Sequence, residues 1–163
     1  MKICYQKKPS PIGEIYIVAD TKHLRAIVFA CSWEKTVKTW GDITFEDNDI
    51  IKQTQIQLAE YFALERTEFD LPLTFYGTEF QQKTWQALLT IPYGETRSYS
   101  EQAHLIGCPK AVRAVGRTNG LNPIPVVVPC HRVIGKSGKL TGYASGLDIK
   151  RFLLNLESRT MRG

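Results

Sequence analysis

A cysteine and a histidine stand side by side in "PCHRV", Pro129 to Val133, in a chain with four cysteines and three histidines. A free thiol has a pKa of about 8.5, so only a few per cent is thiolate at neutral pH. The imidazole of His131 is a base able to change that, and Arg132 adds positive field. The chemistry on offer is nucleophilic attack by the sulfur of Cys130. Neighbouring side chains in an extended segment point to opposite faces, so the pair needs a local bend or an intervening water, and Pro129 permits the bend. A histidine acting as base also needs a partner that fixes its tautomer. Glu157, at the end of the last helical segment and the only acid after Asp148, completes a Cys–water–His–Glu relay. The plain alternative is a cysteine that only fills space in a core.

The surrounding elements follow from spacing. Thr78 and Gln81 fit a capping box, and Phe80, Thr84, Ala87, Leu88 and Ile91 keep helical spacing until Pro92 and Gly94. Ser98 and Glu101 repeat the signature, with Gly107 as the stop. In "PKAVRAVGRTNG", Pro109 suits the first position of a further helix. Two short helices across a glycine turn make a helix-turn-helix candidate, or an ordinary helical hairpin. Lys110, Arg113 and Arg117 share one side of the second helix, among the small residues Ala111, Ala114 and Gly116. That bare cationic surface suits close approach to a duplex, with an arginine able to enter the base stack. A solvated face is the alternative. Asn122 opens "NPIPVVVPC", whose prolines exclude a helix, and Val126–Val128 read as a buried extended segment. "GKSGKLTGY" reads as a glycine-rich turn with a short strand pair. "LDIKRFLLNLE" reads as a closing amphipathic helix with Ile149, Phe152, Leu153 and Leu156 inward.

The front half is less explicit. Gly13–Ala30 reads as two strands joined at 20–22, residues 32–47 give no assignment, and "DNDIIKQTQIQLAEYFALE" reads as a helix with Ile51, Leu58 and Phe62 on one face. "FDLPLTFYG" reads as an extended linker, placing a domain boundary near residue 75: 1–75 in front, 76–163 behind. The 163 residues carry a net charge of +5, unevenly distributed. Residues 1–75 hold nine basic and eleven acidic residues, residues 76–163 twelve and five. A basic back half meeting a polyanion and a merely solvated surface fit this equally well. The composition excludes disordered, fibrous and membrane-spanning classes. The start lacks an apolar signal core, so a cytoplasmic protein with reduced thiols is expected.

"PCHRVIG", preceded by "NPIPVVV" and followed by "GY" and a terminal "LLxxE"-type helix, closely resembles the O6-alkylguanine-DNA alkyltransferases. The resemblance covers nearly all of residues 76–163 and, more loosely, "SPIGEIYI" in front. It implies an α+β fold: an N-terminal antiparallel sheet with a helix, then a helix-turn-helix, winged-helix-like domain. It implies minor-groove binding to double-stranded DNA containing alkylated guanine, base flipping, and irreversible transfer of the alkyl group to Cys130. The partner is that DNA, with no membrane and no cofactor. The chain is expected to act as a monomer, with cooperativity on DNA left open.

By the same resemblance, His131 deprotonates Cys130 through a water, Glu157 orients His131, and Asn122 stabilises the active-site turn. Tyr99 donates a proton to the departing guanine, and Arg113 fills the gap left by the flipped base. Lys110, Ala111, Ala114, Gly116, Arg117 and Tyr99 complete the DNA face. Val133, Tyr143, Ala144 and Ser145 line the base pocket, largely through backbone groups.

Two positions depart from the family pattern. Val112 stands where a small residue is common, and Cys108 stands where a capping asparagine or similar group is common. Relatives with zinc in the front domain need ligands where Asp20 and Arg25 stand, so no metal is expected. The rival readings are a DNA sensor without transfer chemistry, a cysteine hydrolase and a transcription factor. Cys130 argues against the first, since such sensors replace it.

Overall fold

The computed structural model describes residues 2–135 and 146–162, in two compact units, 1–75 and 76–163. In the first unit the strands β1 (Cys4–Lys8), β2 (Ile15–Ala19) and β3 (Leu24–Phe29) run antiparallel, and the two-residue β4 (Thr44–Phe45) pairs parallel with β1. The order is β3-β2-β1-β4.

Helix α2 (Asp49–Phe62), capped by Asn48 through Ile51 N, lies on this sheet and buries Ile51, Leu58 and Tyr61. Val18, Ala26 and Val28 form a second buried cluster with Tyr5, Tyr16 and Trp33. Trp33, from α1 (Ala30–Val37), stacks on Tyr16 at 4.1 Å. Both faces of β2 are therefore covered, which is why its apolar alternation is weak in the sequence. Helix α1 has no side-chain cap and no fully buried residue, so residues 32–47 carried no periodic signal to read.

The segment expected to be a linker is extended but is not free. Leu24 donates to Pro72 O at 2.7 Å and accepts from Thr74 N at 3.3 Å. Gln57 bonds both the N–H and the carbonyl of Asp70, at 2.8 and 3.0 Å. These contacts hold 70–74 against the first unit.

The second unit opens with α3 (Glu79–Leu88), whose Thr78–Gln81 capping box is formed. The second box, Ser98–Glu101, starts α4 (Tyr99–Leu105). Gly107, at φ +78°, turns the chain where a side chain would be strained. Helix α5 (Val112–Gly120) then packs against α4. Gln102 and Asn119 exchange two buried hydrogen bonds, at 3.0 and 2.7 Å, which fixes the angle of the pair. A short parallel ladder joins β5 (Arg97–Ser98) to β6 (Val133–Ile134). Helix α6 (Leu147–Arg162) closes the chain. Among the described residues no helix is long and apolar enough to cross a membrane.

Candidate active site

The turn that carries Cys130 is built by Asn122. Its side-chain oxygen accepts from Ile124 N at 2.9 Å and its amide donates to Val128 O at 2.8 Å. Val126–Val128 are buried, but they are not extended as expected. Val128 N bonds back to Ile124 O and Cys130 N to Val128 O, each at 2.8 Å, and Val126 sits at φ +74°. A β-branched residue in that region is strained. Local hydrogen bonds with Asn122 and Ile124 override the extended preference of the valines here.

The chain then passes into a single 3-10 turn, Cys130–Arg132. Consecutive side chains no longer alternate as on a strand, which removes the geometric objection to a cysteine and histidine in adjacent positions. Cys130 is 7% exposed and His131 fully buried.

His131 Nε2 lies 2.6 Å from Glu157 Oε2. A carboxylate accepts only, so Nε2 carries the proton and Nδ1 keeps its lone pair. Nδ1 is buried with no hydrogen-bond partner among the described residues, and is thus the free base of the site. Arg132 reaches the same carboxylate with Nε at 2.8 Å and Nη2 at 3.0 Å, and its Nη1 donates to Ile91 O at 2.7 Å. Its guanidinium lies 5.5 Å from the Tyr93 ring centre.

Burial pushes the pKa of Glu157 up, but the hydrogen bonds from His131 and Arg132 and the positive charge of Arg132 outweigh it and hold the carboxyl at about 2. For His131 burial dominates: its pKa is lowered against the pull of Glu157, which keeps the imidazole neutral and able to accept a proton. Glu157 does not end the last helix, as expected from the sequence. Helix α6 runs on to Arg162, and Glu157 projects from its interior, where a rigid backbone fixes it better than a frayed end would.

Lys150 was missed in the sequence. It is fully buried, donating to Val133 O at 2.6 Å and to Tyr99 Oη at 3.4 Å. The signal was present: Lys150, Leu153 and Glu157 have i, i+3, i+7 spacing and share one stripe of α6. The β5–β6 ladder sets Ser98 beside Ile134, bringing Tyr99, the first residue of α4, toward the strand that follows the cysteine turn.

Arg113 and Arg117 are exposed on α5, opposite the buried Val115, Thr118 and Asn119. Ala114 and Gly116 are half-buried on the same helix, and the Tyr99 ring lies beside Gly116. The helix begins at Val112 with Ala111 as N-cap, not at Pro109. Pro109 and Lys110 lie in a turn closed by Ala111 N to Cys108 O at 2.9 Å. Lys110 is exposed but off the helix, so only Arg113 and Arg117 share helical register, and Cys108 caps nothing on α5. Val112 is half-buried.

Val133 is buried. Tyr143, Ala144 and Ser145, and with them all of the "GKSGKLTGY" turn after Gly135, lie outside the described residues. Asp20 is engaged internally, accepting from Lys22 N, His23 N and Arg25 Nη1 at 2.7, 2.7 and 3.0 Å. No group of three or more metal-binding side chains occurs among the described residues. The arrangement offers a thiol, a neutral imidazole base anchored to a buried anion, a phenol and a buried ammonium.

Comparison with known proteins gives two family-model matches. The model described as 6-O-methylguanine DNA methyltransferase, ribonuclease-like domain, matches residues 3–75, and the DNA binding domain of the same methyltransferase matches 79–159. The methylated-DNA–protein-cysteine methyltransferase of Mycobacterium bovis is 66% identical over 156 residues, covering 95% of this chain and 92% of its own. That of Methanosarcina acetivorans is 52% identical over 148 residues, covering 91% and 94%. The crystal structure of Mycobacterium tuberculosis OGT in complex with DNA superposes with a TM-score of 0.87 at 49% identity, covering 96% of this chain and 94% of that one.

Proposed function

The chain belongs to the 6-O-methylguanine DNA methyltransferase family, and on that premise we propose that it repairs duplex DNA by moving the alkyl group of O6-alkylguanine onto its own Cys130. The observation that carries this reading is the buried Arg132–Glu157–His131 chain beside a cysteine on a 3-10 turn. His131 Nδ1 takes the thiol proton through a bridging water. The sulfur attacks the alkyl carbon, the carbon–O6 bond breaks, and its electron pair passes to the purine. Guanine is a poor leaving group until that charge is neutralised, which the phenolic proton of Tyr99 does.

Reaching the sulfur requires the base to leave the stack, at a cost of a few kcal/mol. Arg113, exposed on α5, occupies the vacancy and offsets part of that cost, while Lys110 and Arg117 position the backbone by phosphate contacts. Small groups at Ala111, Ala114 and Gly116 admit the groove wall closely. Val133, buried beside the cysteine turn, contributes to the pocket. One chain acts on one lesion, because the thioether formed has no route back to a thiol.

The test is a titration of lesion-bearing duplex with protein. Loss of O6-methylguanine should equal the protein added and then stop. Continued loss beyond one equivalent would replace this reading with true turnover, as a cysteine hydrolase requires.

A further inference from the structure

The turn between α3 and α4 has no task in the mechanism above, yet Ile91, Tyr93 and Gly94 all meet the buried Arg132–Glu157 pair. Ile91 O accepts from Arg132 Nη1 at 2.7 Å. Gly94 N donates to Glu157 Oε1 at 3.4 Å. The Arg132 guanidinium stands over the Tyr93 ring, 5.5 Å from its centre.

The backbone is shaped for these contacts. Glu95 N bonds back to Pro92 O at 3.1 Å. Gly94 sits at φ +80°, where a residue with a side chain would be strained. Pro92 and Gly94 are exposed and Tyr93 is half-buried, whereas Arg132 and Glu157 are buried. The turn is therefore a surface layer over the ion pair.

Such a layer matters because attraction between ions weakens as water raises the effective dielectric. The edge of the guanidinium is bonded to Glu157 and to Ile91 O. Its flat face is what an aromatic ring covers. Glu157 also accepts from His131 Nε2 at 2.6 Å. A carboxylate loosened on the Arg132 side would loosen the imidazole as well.

We propose that Tyr93 is a positioning residue for alkyl transfer: its ring covers the Arg132 guanidinium, keeps water from the ion pair, and so holds Glu157 where it fixes His131. This rests on the transfer reading above. The role belongs to the face of the ring and not to the phenolic oxygen, so phenylalanine should serve as well as tyrosine. The competing role is a surface residue that packs the α3–α4 connection and contributes to stability alone.

Full-length Tyr93→Leu, which keeps apolar bulk without a ring, and Tyr93→Phe, which keeps the ring, separate the roles. Three quantities are measured for each. These are the single-turnover methyl-transfer rate from an O6-methylguanine duplex at saturation, the duplex affinity, and the solvent exchange of the Arg132 Nε–H, followed by NMR on protein without DNA.

Tyr93→Leu should exchange that proton faster and transfer on the order of 10–100-fold more slowly, at unchanged duplex affinity. Tyr93→Phe should match wild type in all three. Wild-type transfer in Tyr93→Leu, or slow transfer with the Nε–H still protected, would overturn the proposal. So would a Tyr93→Phe variant as slow as Tyr93→Leu, which would place the effect on the hydroxyl, or a loss confined to duplex affinity, which would make Tyr93 a DNA contact. Should Tyr93→Leu fail to fold, Tyr93→Met is read in the same way. If wild-type protein gains no methyl on Cys130, the transfer reading fails, and exchange still reports whether the ring covers the pair. If it is methylated and Tyr93→Leu keeps pace, only the role of Tyr93 fails.

Discussion

Arg132 holds Glu157 with two nitrogens, Nε 2.8 Å from Oε1 and Nη2 3.0 Å from Oε2, and the pair is buried. The carboxylate that faces His131 is thus ionised and immobile before any substrate arrives. An anion fixed by a guanidinium fork presents one oxygen to the imidazole in one direction, and that direction sets the tautomer on which the base depends.

Replacing Glu157 by glutamine should therefore do two things at once. It leaves Arg132 as a buried charge without its anion, costing about 3–5 kcal/mol of stability. It also frees the imidazole to adopt the wrong tautomer, lowering the transfer rate by roughly 10²–10⁴-fold. Urea unfolding and single-turnover kinetics on the same preparation check both. A stable variant with wild-type kinetics would remove Glu157 from the relay.

Acid should weaken the fold through the same residues. The carboxyl of Glu157 titrates at about 2 in the folded protein against an ordinary 4.5. Its contribution is fully present above pH 4.5 and is lost as pH falls toward 2. By linkage that contribution is on the order of 3 kcal/mol. His131 acts earlier and in the same direction: its folded pKa lies below the ordinary 6.5, so the unfolded chain takes up that proton first and stability begins to fall below that pH. Urea midpoints measured from pH 7 to pH 3 should decline throughout, and Glu157→Gln should flatten the part below pH 4.5. A midpoint that rose on acidification would contradict this.

Asn122 tests how far the turn itself matters. Asn122→Ala leaves Ile124 N without its acceptor and Val128 O with only the Cys130 N–H of its two donors, a loss of about 1–3 kcal/mol. Asn122→Asp keeps the acceptor for Ile124 N but sets a carboxylate oxygen against the Val128 carbonyl. Transfer should be slower in the aspartate variant than in the alanine variant; the reverse order would show that the donor bond to Val128 is dispensable.

On the DNA face, a methyl added at Gly116 would meet Tyr99 Cδ1 and Cε1 at 3.7 Å, ordinary contact. Gly116→Ala should thus stabilise helix α5 by about 0.5–1 kcal/mol while weakening duplex binding. Arg113→Ala should slow transfer from duplex more than transfer from the free modified base. Equal slowing of both substrates would deny Arg113 a part in extrusion.

These residues also show how much the sequence discloses. The capping boxes at Thr78–Gln81 and Ser98–Glu101 were legible because each closes within four residues. Cys130, His131 and Glu157 were legible by type and by the motif around them, since few other groups could serve. Val126–Val128 were not: a run of three valines favours extended backbone, and only bonds to Asn122 and Ile124 fold it into turns. Lys150 was masked by composition, because a lysine between Ile149 and Arg151 reads as a solvated flank unless its stripe with Glu157 is followed down the helix.

The most direct measurement is mass spectrometry of the whole chain, with peptide mapping, after incubation with duplex DNA containing O6-methylguanine. One added methyl is expected, located on Cys130, with the lesion converted to guanine and no further change on adding fresh DNA. Unmodified protein beside intact lesion, or a methyl located on Cys4, Cys31 or Cys108 instead, would contradict it.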